Sequence, residues 1–241
     1  VHTVDTAGRH AREDELSEIA ERMADPDCRL LTLTGLGGVG KTRLALRAAR
    51  EQVGGFLHGV HFVPLAATSS SEFLVPTIAD ALGFAFSGEE DPKAQLLSYL
   101  REKEMLLVLD NFEHLLDGAQ LLLDILKQAP DVKIVVTSRE PLNAQAEWVF
   151  RVRGLPVPEG DAPEGGESYG SVRLFQDRAR RVDAGFSLSA ATTPAVLRIC
   201  RLVEGMPLAI ELAAASTLTA ACEQVADNIA RNLGALSTSM M

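Results

Sequence analysis

Residues 35–42 read Gly35-Leu36-Gly37-Gly38-Val39-Gly40-Lys41-Thr42 and match the pattern G-x-x-x-x-G-K-[ST] in full. Glycines at these positions let the backbone curl so that successive N–H groups point at phosphate oxygens. A short apolar run at 29–34 predicts a buried strand before the loop, and a helix is predicted after it, at 42–53. That helix would present its positive end to the same anion. The stretch therefore predicts a P-loop that binds a purine nucleoside triphosphate.

Two side chains of this loop and one distant carboxylate form a candidate magnesium site. Lys41 would reach the β- and γ-phosphates, and the Thr42 hydroxyl would bind Mg²⁺. Asp110 ends a continuous apolar run at 105–110, where a P-loop protein places its second Mg²⁺ anchor, the Walker B carboxylate. The alternative is that Asp110 only starts a turn, because Asp-Asn is favourable turn chemistry. The predicted cofactors are ATP or ADP with Mg²⁺.

The residue after Asp110 limits the expected chemistry. Many P-loop ATPases with an additional strand carry an acid there to activate water, but this chain has Asn111, which cannot accept a proton. Glu113 lies nearby in the sequence. At most a slow Mg-dependent ATP hydrolase is predicted, with a turnover below the ~10 s⁻¹ typical of enzymes.

An arginine follows the next apolar run, at 133–137. Arg139 at the end of that strand could reach the γ-phosphate through charge-assisted hydrogen bonds and so report its presence. The alternative is an arginine in a surface loop. Sequence spacing alone leaves both interpretations open.

The first part of the chain alternates strands with helices. Further strands are predicted at 60–64 and 148–152, which indicates a doubly wound, parallel α/β sheet of the P-loop NTPase type (AAA+/ASCE-like). The stretch 154–170 is rich in Gly and Pro and is predicted to be a linker. Only helical periodicities follow it, so the predicted organisation is an α/β domain at 1–153 and a small all-α domain at 171–241.

Composition excludes several classes of function. Lys and Arg total 23 against 33 Asp and Glu, a formal net charge of −10. A field of that sign disfavours binding to nucleic acid or to an anionic membrane. The three cysteines lie far apart, without metal-ligand spacing, and fit a reduced protein. Neither a signal peptide nor a membrane span is predicted. We expect a cytoplasmic segment that binds no nucleic acid directly, excised from something longer.

Four motifs in order resemble a known family. They are Gly-x-Gly-Gly-Val-Gly-Lys-Thr-Arg-Leu-Ala at 35–45, Leu-Leu-Val-Leu-Asp-Asn-Phe-Glu-His-Leu at 106–115, Val-Thr-Ser-Arg-Glu-Pro-Leu at 136–142 and Gly-Met-Pro-Leu-Ala-Ile-Glu-Leu-Ala at 205–213. Together they resemble the STAND signalling ATPases, relatives of the NB-ARC proteins. The greatest likeness is to the ATPase modules of large bacterial transcriptional regulators.

The resemblance implies roles for particular residues. Arg139 becomes the sensor arginine, and Pro207 would contact the nucleotide from the helical domain. Gly8-Arg9 resembles the family's G-R-E signature, which packs near adenine, although His10 stands where the family has Glu. The nucleotide would be held by the loop, its neighbour Arg43 and these residues, in full Gly35, Gly37, Gly38, Val39, Gly40, Lys41, Thr42, Arg43, Arg139, Pro207 and Arg9.

The resemblance also implies a regulatory switch with slow ATPase activity, acting in signal transduction or transcription regulation. Winged-helix, sensor and effector domains of the same protein would be its partners, and the ATP-bound form would self-associate. The alternative is a P-loop phosphotransferase acting on a small molecule. Such an enzyme usually has a basic lid, whereas the arginines of the predicted helix near 172–182 are expected to lie on a solvated face, namely Arg178, Arg180 and Arg181.

Overall fold

A computed structural model of the protein describes residues 12–158 and 166–238. Contacts between Cα atoms divide the chain into two compact units. The α/β unit comprises residues 14–152. The helical unit comprises, among the described residues, 12–13, 153–158 and 166–238. Arg9 and the sequence signature around it lie outside the described residues.

The α/β unit contains a sheet of five parallel strands in the order β2-β3-β4-β1-β5. β4 lies between β1 and β3 and is the additional strand of the predicted class. The doubly wound P-loop NTPase fold is therefore confirmed. The strands are β1 Leu30–Thr34, β2 Val60–Pro64, β3 Met105–Asp110, β4 Val132–Ser138 and β5 Glu147–Arg151.

Five α-helices accompany these strands. The Leu-rich pattern at 115–126 predicts a helix there, but the α-helix begins at Ala119 because two 3₁₀ turns, Phe112–His114 and Leu116–Gly118, occupy the preceding segment. Short 3₁₀ turns of this kind commonly act as connectors. The helices are α1 Glu13–Ala24, α2 Lys41–Glu51, α3 Leu74–Ala81, α4 Pro92–Leu100 and α5 Ala119–Gln128.

The central strands are buried because helices cover both of their faces. Every residue of β1 is buried, as is every residue of β3 before Asp110. One large core forms between the sheet and α3, α4 and α5, where Leu107 of β3 packs in the same cluster as Ile78, Leu100 and Ile125. A continuous apolar run is the sequence pattern expected of such a strand. Rigid strands therefore carry the polar residues at their carboxyl ends.

The helical unit has its own apolar core, which includes Phe175, Ile199 and Ile210. Arg178, predicted to be solvated, instead has a side chain only 16% exposed and donates to Glu211 at 2.9 Å. The helices of this unit are α6 Gly170–Val182, α7 Thr193–Leu202, α8 Pro207–Ser216 and α9 Cys222–Thr238. Across 12–158 and 166–238, every helix falls short of the length and apolar character that crossing a membrane requires.

All three cysteines are buried free thiols. Cys28 belongs to the α/β unit, while Cys200 and Cys222 belong to the helical unit. Burial raises the pKa of all three thiols, that of Cys200 to about 12. They are therefore small apolar packing groups.

Candidate functional site

The strand order brings three separate segments of the sequence to one edge of the sheet. The chain runs from β1 to the far edge at β2 and then returns through β3 and β4 to the flank of β1. In open α/β sheets, ligands bind beyond the carboxyl ends of the strands, where the strand order reverses. At this edge, residues 35–42 (the P-loop) follow β1, Asp110 ends β3 and Arg139 follows β4.

The P-loop curls because its glycines adopt backbone conformations that other residues avoid. Gly40 has φ 95° and caps the N-terminus of α2, and Gly38 has φ 79°. Positive φ carries no steric penalty at glycine, which lacks Cβ. The free N–H groups of the first helical turn and the positive end of the helix dipole therefore face the loop, as an anion site requires.

Lys41 begins α2, and its side chain folds back over the P-loop. Its ammonium donates to the carbonyl oxygens of Gly35 at 2.8 Å and of Leu36 at 3.2 Å. Burial lowers the pKa of Lys41 below the usual value for a lysine; Glu113 and Asp110 oppose this shift, and Arg139 adds to it. Glu113 is thus the charged group with the greatest influence on this ammonium.

Asp110 and Thr42, which are 68 residues apart in the sequence, meet at the site. Oδ1 of Asp110 accepts hydrogen bonds from the hydroxyls of Thr42 and Thr137, each at 2.6 Å. A hydroxyl beside a carboxylate is the hard-oxygen donor set that Mg²⁺ prefers. No cluster of three or more His, Cys, Asp or Glu able to hold a metal occurs within the described part of the chain. A cation here would thus take further ligands from phosphate and water.

The segment after Asp110 turns sharply toward the P-loop. Asn111 has φ 70°, a left-handed conformation that asparagine tolerates, and its backbone N–H donates to Thr137 Oγ1 at 2.9 Å. The 3₁₀ turn Phe112–His114 follows, with Phe112 fully buried. Nε2 of His114 lies 2.8 Å from the carbonyl oxygen of Thr68, so this histidine anchors the turn.

Arg139 and Glu113 form an ion pair beside the P-loop. Nε of Arg139 donates to Oε1 of Glu113 at 3.0 Å, and the Glu113 side chain is only 15% exposed whereas that of Arg139 is 69% exposed. A Cβ atom added at Gly37 would lie 3.9 Å from Nη2 of Arg139. The guanidinium therefore spans the space between the loop and Glu113. The sequence interpretation noted Glu113 but assigned it no partner.

The remaining predicted ligand residues have different settings. Val39 is buried at 2% exposure and fixes the P-loop to the unit's interior, while Arg43 lies on the exposed side of α2. Pro207 is the first residue of α8 in the helical unit. Its preceding turn runs through Glu204 and Gly205, both with positive φ.

Comparisons with known sequences identify proteins that are similar to this chain. Residues 12–146 match the NB-ARC domain family. A Mycobacterium tuberculosis protein, named as a candidate HTH-type transcriptional regulator, is 38% identical over 202 residues, which is 83% of this chain and 22% of that protein. The chain thus spans about a fifth of the length of this curated relative.

Solved structures share the fold at low sequence identity. A STAND protein with a tetratricopeptide repeat sensor from Pyrococcus horikoshii has a TM-score of 0.53 at 17% identity, covering 90% of this chain and 31% of that one. A chain of the Drosophila ORC structure bound to DNA has a TM-score of 0.59 at 16% identity, covering 94% and 67%. At these identities the likeness concerns the fold alone.

Proposed function

The chain belongs to the NB-ARC family, and on that premise we propose that it is an ATP- and ADP-binding regulatory switch with slow ATPase activity. The observation that carries the proposal is the convergence of Lys41, Thr42, Asp110 and Arg139 at the carboxyl edge of one parallel sheet. Lys41 and Thr42 belong to the P-loop, whereas Asp110 and Arg139 come from the ends of two other strands, and the fold brings these three segments together.

Nucleotide binding would use the P-loop backbone and Lys41. The loop N–H groups would cradle the phosphates, and the Lys41 ammonium would exchange its two carbonyl partners for β- and γ-phosphate oxygens. An ammonium already held over the loop needs little reorganisation to make this exchange. Arg43, two residues after Lys41 in α2, would be the further phosphate-side contact that the family resemblance implies.

Magnesium would be held by Thr42 and Asp110. The two oxygens lie 2.6 Å apart, a separation that supports their binding one cation together. Mg²⁺ typically takes one or two protein ligands and completes its shell with phosphate oxygens and water. When bound, it would neutralise charge on the phosphates. The protein's part is to hold these oxygens, and Thr137 orients the carboxylate through its own 2.6 Å hydrogen bond.

Discrimination between ATP and ADP would depend on Arg139. The Arg139 side chain is 69% exposed and donates to Glu113 through Nε. Its Nη groups therefore remain for a γ-phosphate. A switch needs ligands that bind its two states with different affinity. Pro207 and Arg9 would supply the remaining contacts to the nucleotide, by the likeness of their motifs.

The full-length protein would be a signalling or transcriptional regulator, because a relative that carries that name contains this segment within a chain several times longer. In that protein the further domains would be the partners of the switch, and ATP would promote self-association. The net charge of −10 makes direct binding of nucleic acid by this segment unfavourable, and a cytoplasmic location follows from such a role.

The proposal is tested by what the purified protein carries. The chain would be purified without added nucleotide and denatured, and the released compounds would be identified by chromatography. Stoichiometric ADP that is absent from a parallel preparation of Lys41→Ala supports a slowly exchanging switch. Titration with Mg·ATP then measures affinity, and equal affinity in wild type and Lys41→Ala contradicts the P-loop assignment. Multiple turnovers onto an added small-molecule acceptor would favour a phosphotransferase.

A further inference from the structure

Glu113 is unusual among the carboxylates of the α/β unit. Its Oε2 atom is buried and has no hydrogen-bond partner among the described residues. A buried carboxylate oxygen left unpaired costs free energy and needs an explanation. Its Oε1 atom is held by Arg139 at 3.0 Å, so the orientation of the side chain is fixed. One oxygen is therefore anchored, and the other has no partner among the described residues.

The position of Glu113 is set by its neighbours rather than by chance. Phe112 and Leu115 are fully buried on either side of it, and His114 is tied to the carbonyl of Thr68. The left-handed Asn111 redirects the chain as it leaves β3, and the 3₁₀ turn Phe112–His114 then carries Glu113 back toward the P-loop. The Glu113 carboxylate, two residues after Asn111, is thereby brought to the carboxyl edge of the sheet.

Electrostatics and packing indicate that Glu113 lies at the end of the site where the γ-phosphate would bind. Glu113 is the strongest charged influence on Lys41, the residue that reaches the β- and γ-phosphates. Its partner Arg139 lies over Gly37 of the P-loop. Glu113 therefore lies near the ammonium and is paired with the guanidinium. Water attacks the terminal phosphate from that end of the nucleotide.

We propose that Glu113 is the proton acceptor for ATP hydrolysis at this site and that Arg139 holds it in place. It would replace the acid that Asn111 cannot supply, because an amide accepts no proton. The inference rests on the proposed nucleotide binding. Arg139 can serve both roles, since Nε bonds Glu113 while the Nη groups remain for phosphate.

The step balances with water and Mg·ATP as the reactants. The water oxygen forms a bond to the γ-phosphorus, and the bond from that phosphorus to the β,γ-bridging oxygen breaks. The electron pair of that bond goes to ADP. The proton of the water passes to Oε2 of Glu113 and then to the released inorganic phosphate.

The test compares Glu113→Gln with wild type in two assays, Mg·ATP affinity and single-turnover hydrolysis. Glutamine is isosteric and keeps an oxygen that accepts from Arg139, so affinity for ATP and the preference for ATP over ADP should be unchanged. Hydrolysis should fall by about 100-fold or more, as is typical for loss of a general base. Glu140→Gln is the matched control, an exposed carboxylate next to Arg139, and should hydrolyse normally.

Three results would overturn the inference. They are wild-type hydrolysis by Glu113→Gln with ATP bound, loss of the ATP-over-ADP preference in that variant, and a wild-type chain that binds ATP but never hydrolyses it. The third result leaves the proposed nucleotide binding intact, whereas failure of the wild-type chain to bind ATP contradicts the proposed function as well.

If Glu113→Gln does not fold, Glu113→Asp keeps the carboxylate on a side chain one methylene shorter. It should bind ATP normally and hydrolyse it measurably more slowly, and an unchanged rate would overturn the inference.

Discussion

The Thr42 hydroxyl donates to the carboxylate of Asp110 at 2.6 Å, although Thr42 lies in the first turn of α2 and Asp110 ends β3. A hydrogen bond of this length holds both oxygens within reach of one cation. The same carboxylate oxygen accepts from Thr137, so its orientation is fixed by two donors. The arrangement makes a prediction about magnesium.

Asp110→Asn should weaken binding of Mg·ATP while leaving metal-free ADP unaffected. The amide keeps the shape and an acceptor oxygen but loses the charge that attracts the cation. We expect a loss no smaller than the roughly 10–100-fold that removal of an outer-shell partner costs at metal sites. Isothermal titration with and without Mg²⁺ measures both affinities. An equal loss in both titrations would show that Asp110 only stabilises the strand end.

Affinity for ATP should fall at alkaline pH, through Lys41. Burial lowers the pKa of this lysine in the nucleotide-free chain, and bound phosphate would raise it again by adding negative charge. The favourable charge interaction is therefore complete below the lowered pKa of the nucleotide-free chain, and it is lost as the pH rises from there through the higher pKa of the bound state. Titrations between about pH 8 and pH 10.5 cover the range below and up to an ordinary lysine pKa.

Lys41→Arg provides the matched control for this pH dependence, because an arginine remains charged throughout that range. Its affinity for Mg·ATP should be lower than wild type but flat with pH. A wild-type affinity that does not change with pH would mean that the ammonium contributes nothing to phosphate binding.

Arg139→Ala should reduce the preference for ATP over ADP. The guanidinium would contact only the γ-phosphate, and a hydrogen bond to a charged group contributes about 1.5–3 kcal/mol, which corresponds to roughly 10–150-fold in affinity. ADP affinity should change little. Competition between the two nucleotides for a fluorescent analogue measures the ratio, and an unchanged ratio would show that Arg139 is a surface arginine that only pairs with Glu113.

Gly205→Ala should destabilise the helical unit. Gly205 has φ 66°, and a Cβ there would lie 1.9 Å from the carbonyl oxygen of Leu155, whose N–H donates to Gly205 at 2.8 Å. We expect a loss of about 2–5 kcal/mol, combining the left-handed penalty of about 1–2 with an overpacking penalty of about 1–3. Chemical denaturation of the purified chain measures it.

The control for this substitution is Gly83→Ala. Gly83 has φ 65°, but an added Cβ meets nothing within 4 Å, so only the backbone penalty applies. The difference between the two variants isolates the close approach of Leu155 to Gly205. Equal destabilisation would mean that the segment around Leu155 can shift to accept a methyl group.

The fold followed from patterns that are local in the sequence. Two patterns predict their elements without knowledge of what packs against them. They are the buried run 105–110 and the P-loop with its flanking strand and helix, and the structure confirms these elements. The helix expected from 115 begins instead at Ala119, because the intervening residues satisfy their backbone through 3₁₀ turns. Propensity alone does not separate a Leu-rich 3₁₀ segment from the α-helix that continues it.

The pairings of charged side chains could not be predicted in the same way. Arg139 and Glu113 are 26 residues apart and meet only because β3 and β4 are adjacent and parallel. Arg178 meets Glu211 across two helices of the other unit. No spacing rule encodes such contacts, since they depend on which elements pack together. The sequence holds one clue to Glu113. Asn111 stands where related ATPases carry an acid, and Glu113 is an acid two residues later.

The buried cysteines give each unit an internal reporter of its own unfolding. A thiol with a raised pKa inside a packed core reacts with an alkylating reagent only when its surroundings open. Modification at Cys28 therefore dates the opening of the α/β unit, and modification at Cys200 or Cys222 dates that of the helical unit. Mass spectrometry of a single labelling time course would separate the two events and show which of them a bound nucleotide slows.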